Sequence, residues 1–177
     1  MTTTTLAASR VHAVVDSPVG PLTLVAADGV LTGLHMDTQR HAPPPGIFGD
    51  EVADTDGLFA GPAGQLRDYF AGRRTEFELP LSLAGTPFQR RVWAALQEIP
   101  YGETISYGEL AARIGRPTAA RAVGLANGRN PVSIIVPCHR VIGSDGSLTG
   151  YGGGMARKQY LLAFERDVKG RRWPAVS

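Results

Sequence analysis

One cysteine, four histidines and no long apolar run set the first limits on this 177-residue chain. A lone thiol, Cys138, can form no internal disulfide, and with only His12, His35, His41 and His139 beside it no Cys-rich zinc cluster assembles, so no structural metal is expected. No segment approaches the roughly 18 consecutive apolar residues that a membrane span needs. Met1 to Arg10 is Thr-rich, without the basic start or apolar core of a signal peptide, and a cytoplasmic protein away from membranes is expected. Acids are also missing where it matters: Leu110 to Ser144 contains none, while carrying Arg113, Arg116, Arg121, Arg129 and Arg140. The near-neutral total of +2 hides a split. Residues 1–80 hold five Arg against ten acids (−5), and residues 81–177 hold thirteen Lys or Arg against six acids (+7). Such a second half suits an anionic partner such as a phosphate backbone, although charge alone fits a solvated basic face equally well.

Hydrophobic residues, 43% of the chain, suffice for an ordinary core. Alternation predicts strands at Val11 to Val15, Leu22 to Ala26 and Val30 to Met36, the last two joined by Asp28-Gly29, a two-residue hairpin signal. His41 to Asp56, with Pro43 to Pro45, reads as a loop; a helix with Leu58, Leu66, Tyr69 and Phe70 follows, ended by Gly72 and cast as scaffolding. Glu76 to Leu79 resumes alternation, and Leu81 to Gly85 links to the second half. There Thr86-Pro87-Phe88-Gln89 is a capping box opening a helix whose apolar face is Phe88, Val92, Leu96 and Ile99. A second box, Ser106-Tyr107-Gly108-Glu109, starts a short helix ending at Gly115, and Pro117 is read as the start of the next. Two short helices around a Gly-containing turn outline a helix-turn-helix. In the second, Ala119, Ala122, Val123 and Ala126 are placed inward, leaving Arg121, Gly124 and Gly128 on an outward stripe. Glycine inside a helix costs about 1 kcal/mol against alanine, so Gly124 implies something large lying close, either a ligand or another helix. Asn130-Pro131 then leads into Val132 to Val136, read as a buried strand.

That run delivers Pro137-Cys138-His139-Arg140. A solitary cysteine is more often a small buried hydrophobe than a nucleophile, but an adjacent imidazole and an acid-free basic stretch favour the thiolate. Neighbouring side chains rarely face each other, so His139 is expected to reach Cys138 through a water or a local bend. Glu165, at the end of a helix Ala156 to Glu165 docked by Tyr160, Leu161 and Phe164, is a candidate to orient the imidazole. Gly150-Tyr151-Gly152-Gly153-Gly154 serves either as a connector or as a close-fitting wall.

Pro137-Cys138-His139-Arg140, preceded by Asn130-Pro131 and followed by Val141-Ile142-Gly143, resembles the active-site signature of the O6-alkylguanine-DNA alkyltransferases. The resemblance extends in order over some eighty residues: Thr86-Pro87-Phe88-Gln89, Ile99-Pro100-Tyr101-Gly102-Glu103-Thr104, Ser106-Tyr107, Ala120-Arg121-Ala122-Val123-Gly124, the Cys138 motif, Leu161-Leu162 and Glu165. In the first half only Ser17-Pro18 and Gly20-Pro21-Leu22 match. The resemblance implies an α+β protein. A small N-terminal antiparallel sheet domain (1–80) would precede a helical, winged-helix-like C-terminal domain (86–170) carrying both the DNA-reading helix and the cysteine.

It further implies irreversible, single-turnover transfer of the alkyl group from O6-alkylguanine to Cys138 after the base is flipped out, because a thioether is not hydrolysed by water. His139 would be the base through a water, Glu165 would hold the imidazole, Asn130 would support the turn, and Tyr107 would donate its proton toward the guanine. Arg121 would fill the space left by the extruded base, with Ala120, Gly124, Asn127, Gly128 and Tyr107 also at the DNA. Val136, Ser144, Tyr151 and Gly152 match the family's base pocket. No cofactor is called for. The implied partner is double-stranded DNA with the lesion, met in the minor groove with little sequence preference. A monomer in solution is implied, with cooperative binding on DNA compatible. Departures are visible: Leu125 and Gly152 replace, respectively, a smaller residue and a serine of some members, and the tail from Arg166 to Ser177 matches no motif. A lesion sensor on this fold would lack the cysteine; a thiol hydrolase built on Cys138, His139 and Glu165 would turn over without DNA.

Overall fold

The alternating segments near the start of the chain close into a sheet. The computed structural model describes residues 10–55, 57–148 and 151–172. In it β1 (Arg10–Val15) pairs antiparallel with β2 (Leu22–Ala27), and β2 with β3 (Val30–Met36). Asp28 and Gly29 both have positive φ, 51° and 80°, as a hairpin turn matched to strand twist requires. A register shift at Val25/Ala26 keeps Leu31, Leu34 and Met36 on one face, opposite Ala26, Leu24 and Leu22. Without that bulge, Leu31 and Leu34, three residues apart, would point to opposite sides.

Residues expected to form a plain loop after His41 contain more structure. Pro45–Phe48 makes a single 3-10 turn, and β4 (Asp50–Glu51) adds in parallel to the free edge of β1, giving the order β3-β2-β1-β4; Asp56 lies outside the described residues. Helix α1 (Gly57–Phe70) covers the sheet with Phe59, Ala63, Leu66 and Tyr69, all buried. The alternation at Glu76 to Leu79 forms no ladder. Its backbone is served instead by one side chain, Gln65, which donates to Glu78 O at 3.1 Å and accepts from Glu78 N at 2.9 Å.

The second half comprises α2 (Pro87–Leu96), β5 (Ile105–Ser106), α3 (Tyr107–Arg113), α4 (Ala120–Gly128), β6 (Val141–Ile142) and α5 (Met155–Arg172). The Thr86 capping box closes as read, with Thr86 Oγ1 accepting from Gln89 N at 3.1 Å and Gln89 Oε1 accepting from Thr86 N at 3.0 Å. Ser106 caps α3 through Glu109 N at 3.0 Å. Helix α4 starts three residues later than Pro117, because Arg116 to Ala119 is taken up by a turn closed from Ala119 N to Arg116 O at 2.9 Å. Its inward stripe is Val123, Ala126 and Asn127, whereas Ala122 is exposed. The Trp93 indole donates to Ala126 O at 2.9 Å and pins α4 to α2.

Val132 to Val136 is buried but is no strand. It doubles back in a tight turn, with Val136 N bonded to Val132 O at 3.0 Å and Ile134 at φ 73°, a conformation costly for a β-branched residue. Helix α5 extends past Glu165 through the residues first read as a motif-free tail; positions 173–177 lie outside the described residues, as do residues 1–9 and Gly150. Tyr160 is 38% exposed, and Lys158, Leu161, Leu162, Glu165 and Val168 face inward instead. Two of the inward positions of an amphipathic helix are therefore ionisable.

The two halves share one apolar core. Leu34 N donates to Pro131 O at 2.9 Å, and Arg157 of α5 donates to Val19 O at 3.0 Å and Asp37 O at 2.6 Å. No described helix is long and apolar enough to cross a membrane.

Candidate active site

Cys138 opens a one-turn 3-10 helix, Cys138–Arg140, directly after the reversal at Val132 to Val136. The reversal is clamped by one side chain: Asn130 donates to Val136 O at 2.7 Å and accepts from Val132 N at 3.0 Å. The thiol ends up 3% exposed. Burial pushes its pKa up, opposed by hydrogen bonding from Asn130 and by the charge of Lys158. This reverses the expectation of a thiolate at rest. Four of the five arginines of the basic stretch, Arg113, Arg116, Arg121 and Arg129, are exposed, and the fifth, Arg140, is buried but paired with Glu165, so desolvation decides the charge of the sulfur. A base must therefore remove the proton.

The neighbouring imidazole is placed for that task. His139 is fully buried, and its Nε2 lies 2.7 Å from Glu165 Oε2. A carboxylate only accepts, so the bond puts a proton on Nε2, and in the neutral ring Nδ1 keeps its lone pair. Among the described residues Nδ1 has no hydrogen-bond partner, which also means that Cys138 does not bond to it directly. Glu165 is held well below the usual carboxylate range: burial opposes ionisation, but the charge and hydrogen bond of His139 and those of Arg140 outweigh it. Arg140 grips both carboxylate oxygens, Nε to Oε1 at 2.8 Å and an Nη to Oε2 at 3.1 Å, and donates to Ile99 O at 2.7 Å. A further donor comes from the first half, where Tyr69 OH lies 2.6 Å from Glu165 Oε2.

On the opposite side of the cysteine, Lys158 is buried, donating Nζ to Val141 O at 2.5 Å with the Tyr107 ring centroid 5.8 Å away. Burial lowers its pKa to about 8, the charge of Cys138 working against this. Tyr107, half-buried, covers Gly124: a Cβ there would sit 3.7 Å from the ring. Beyond them opens a groove of about 660 Å³ lined by Tyr107, Ala120, Arg121, Gly124 and Ser144. A second, of about 190 Å³, lies on the other flank of α4 between Gly124, Leu125, Gly128, Tyr151 and Gly152, with Arg40 and His41 of the first half at its edge. Arg121 is exposed and Leu125 is 72% exposed. Val136 and Tyr151 are buried near the thiol, and the Tyr151 hydroxyl has no partner among the described residues.

Asn127 does not join the outward set. Its side chain turns inward, 1% exposed, and donates to Cys138 O at 3.3 Å. Three side chains not read as site residues from sequence prove central to the geometry: Tyr69, read as part of a scaffolding helix, Arg140, read as one of the basic stretch, and Lys158, which had no role. For Lys158 a signal existed: it falls on the apolar stripe of α5, three residues before Leu161 and seven before Glu165.

The arrangement has close relatives among known proteins. The family model described as "6-O-methylguanine DNA methyltransferase, ribonuclease-like domain" matches residues 11–83, and that described as "6-O-methylguanine DNA methyltransferase, DNA binding domain" matches residues 87–167. A methylated-DNA–protein-cysteine methyltransferase of Mycolicibacterium paratuberculosis is 60% identical over 86% of this chain and 90% of its own. The chain belongs to the 6-O-methylguanine DNA methyltransferase family. A methyltransferase of the same name from Methanosarcina acetivorans is 46% identical over 87% of this chain and 97% of its own. A crystal structure of Mycobacterium tuberculosis OGT in complex with DNA aligns at a TM-score of 0.82 and 56% identity, covering 89% of this chain and 94% of that one. As a 6-O-methylguanine DNA methyltransferase the chain has the expected α+β fold, and the resemblance read from the Cys138 motif is borne out.

Proposed function

We propose that this chain binds DNA and reverses alkylation damage directly, moving the alkyl group of O6-alkylguanine onto Cys138 in a single turnover. Methyltransferase activity and DNA as the partner follow from the family and its DNA-bound relative. The finer reading rests on one observation: a buried thiol stands beside a histidine whose Nε2 is tied to Glu165 while Nδ1 is left open. His139 Nδ1 takes the thiol proton through a water; the sulfur attacks the alkyl carbon; the bond from carbon to O6 breaks, its electrons passing to the purine. Tyr107 supplies a proton toward the guanine ring. His139 then releases its proton to solvent and Tyr107 is reprotonated from solvent, so that over the whole reaction the cysteine loses a proton, guanine gains one and the alkyl group ends on sulfur. No step regenerates the thiol, so one molecule repairs one lesion.

A stacked guanine cannot bring its O6 substituent in line with a buried sulfur, so the nucleotide rotates out, at a cost of a few kcal/mol. Arg121 on α4 takes its place. The shallow surface over Gly124 and Gly128, flanked by both grooves, suits the minor groove and its nearly degenerate edges. Val136, Ser144, Tyr151 and Gly152 border the extruded base, Ala120 lies at the DNA backbone, and Asn130 holds the turn. The first half acts as scaffold around β1 to β3, and the protein works as a monomer in the cytoplasm.

Intact-mass spectrometry after mixing with excess duplex containing O6-methylguanine tests this. The expected outcome is a gain of one methyl group mapped to Cys138 and absent from Cys138→Ser. Lesion binding without a mass gain would turn the reading to a sensor, and repeated turnover would turn it to a hydrolase.

A further inference from the structure

The helix read as scaffolding reaches the chemistry. Tyr69, on α1, and Glu165, on α5, are 96 positions apart, yet their polar atoms are 2.6 Å apart and both side chains are fully buried. The oxygen that Tyr69 meets is Oε2, the same atom that accepts from His139 Nε2 at 2.7 Å. Arg140 bridges the two oxygens, an Nη to Oε2 at 3.1 Å and Nε to Oε1 at 2.8 Å, and Gly102 N is the second donor on Oε1. A carboxylate oxygen has a limited share of charge to give, and each added donor weakens the others. The phenol ring is fixed independently of its hydroxyl, edge-on to Phe70 (5.0 Å, 86°) and packed against Phe77 and Phe164 at 5.5 and 5.7 Å. The aromatic cage therefore aims the O–H, and phenylalanine at this place would fill the same space without it.

We infer that Tyr69 is a positioning residue for alkyl transfer, its hydroxyl holding the Glu165 carboxylate in the orientation that serves His139 and moderating how strongly that carboxylate draws on the imidazole. The inference rests on the proposed alkyl transfer and makes the first half of the chain part of the reaction. Removing the hydroxyl leaves Oε2 a stronger acceptor for His139. The carboxylate then draws harder on the imidazole, and transfer reaches its full rate only at higher pH. A stronger phenol donor does the opposite. Among the described residues, the charged and titratable groups that act on this carboxylate are Tyr69 from α1, His139 and Arg140 from the 3-10 turn, and Tyr151 ahead of α5; Tyr101 stands behind Tyr69 and Arg140, and Lys158 and Cys138 interact with each other. Only Tyr69 among the direct partners can be altered without losing a positive charge or the base itself.

The test is the pH profile of the single-turnover rate at saturating O6-methylguanine duplex, for the unaltered protein, for Tyr69→Phe and for protein carrying 3-fluorotyrosine at position 69. The acid limb is expected to move up by about half a pH unit or more in Tyr69→Phe, a roughly threefold or larger loss on that limb that fades at alkaline pH. The fluorinated ring, equal in packing and a stronger donor, should move it down. Phe59→Leu serves as a packing control on α1, expected to lower stability without moving the limb. A uniform loss across pH in Tyr69→Phe, or limbs that coincide in all three proteins, would overturn the inference and leave Tyr69 a core residue. If the unaltered protein gains no methyl group on Cys138, it is the proposed reaction that fails. Should Tyr69→Phe not fold, the fluorinated protein alone decides by the direction of its shift.

Discussion

Asn130 Nδ2 stands 2.7 Å from the carbonyl of Val136 and, through its Oδ1, holds Val132 N at 3.0 Å, so one amide closes the reversal on which Cys138 is mounted. Val136 O also accepts from Cys138 N at 2.8 Å, so only Val132 N loses its partner when the amide is removed. Asn130→Ala is expected to cost about 1–3 kcal/mol, the penalty of one stranded backbone N–H and a small void. Urea denaturation measures it. The transfer rate should fall as well, because Ile134 keeps its strained conformation only while the turn is held. An unchanged unfolding midpoint would show that packing and the turn's own Val136 N to Val132 O bond suffice to hold it.

Acid should destabilise this protein partly through Glu165. Its folded pKa is depressed below the ordinary 4.5, so the ionised form adds stability above the unfolded value, and that contribution drains away as pH falls from about 4.5 toward the lower folded value. Glu165→Gln is expected to flatten the stability profile over that acid range. It should also lose about 3 kcal/mol or more at neutral pH, since Arg140 and His139 would face an uncharged partner in the interior. Denaturation midpoints between about pH 3 and pH 7 decide the matter.

Lys158 works in the other direction. With its folded pKa lowered to about 8 and the ordinary value at 10.5, the unfolded chain binds more protons between those limits, so stability rises with pH across the window. Lys158→Met should abolish that rise and leave the neutral-pH stability equal or higher, because a buried cation is removed. The same variant should transfer the alkyl group more slowly, as the charge that favours the Cys138 thiolate is gone. A variant that is faster than the parent would contradict the electrostatic reading.

Gly124→Ala is expected to make the protein more stable and less competent. An added Cβ meets the Tyr107 ring at 3.7 Å, an ordinary contact, and a helix-interior glycine to alanine change stabilises by about 1 kcal/mol. The methyl group also projects beside both grooves, so affinity for lesion-containing duplex should fall. Thermal unfolding and fluorescence anisotropy, run side by side, separate the two effects.

Alkylation of Cys138 should loosen the fold. The sulfur is 3% exposed among Val136, Tyr151 and Asn130, and an extra methyl group there overpacks the site by about 1–3 kcal/mol. Unfolding midpoints before and after reaction with the lesion compare the two states, and equal values would mean that the pocket already has room.

What could be read from residue order alone was whatever depends on neighbours a few positions apart. The Asp28-Gly29 hairpin, the Thr86 and Ser106 caps and the helix-turn-helix of α3 and α4 all rest on contacts within about four residues, and each formed. The motif Pro137-Cys138-His139-Arg140 was legible for a different reason, as a string long enough to carry the family. Burial was misread where hydrophobicity alone had to choose a shape. Val132 to Val136 is as apolar as any strand, but a run buried on every side can fold back as readily as extend, and Asn130 settles which. The alternation of Glu76 to Leu79 likewise found Gln65 rather than a strand. The charge of the thiol depended on depth, not on the arginines nearby in sequence, because desolvation acts through the surrounding core. Last, the carboxylate that binds His139, Arg140 and Tyr69 together exists as a site only when α1 and α5 pack side by side. No local rule spans the 96 residues between Tyr69 and Glu165; the long-range burial of their helices in one core brings the two side chains within hydrogen-bonding distance.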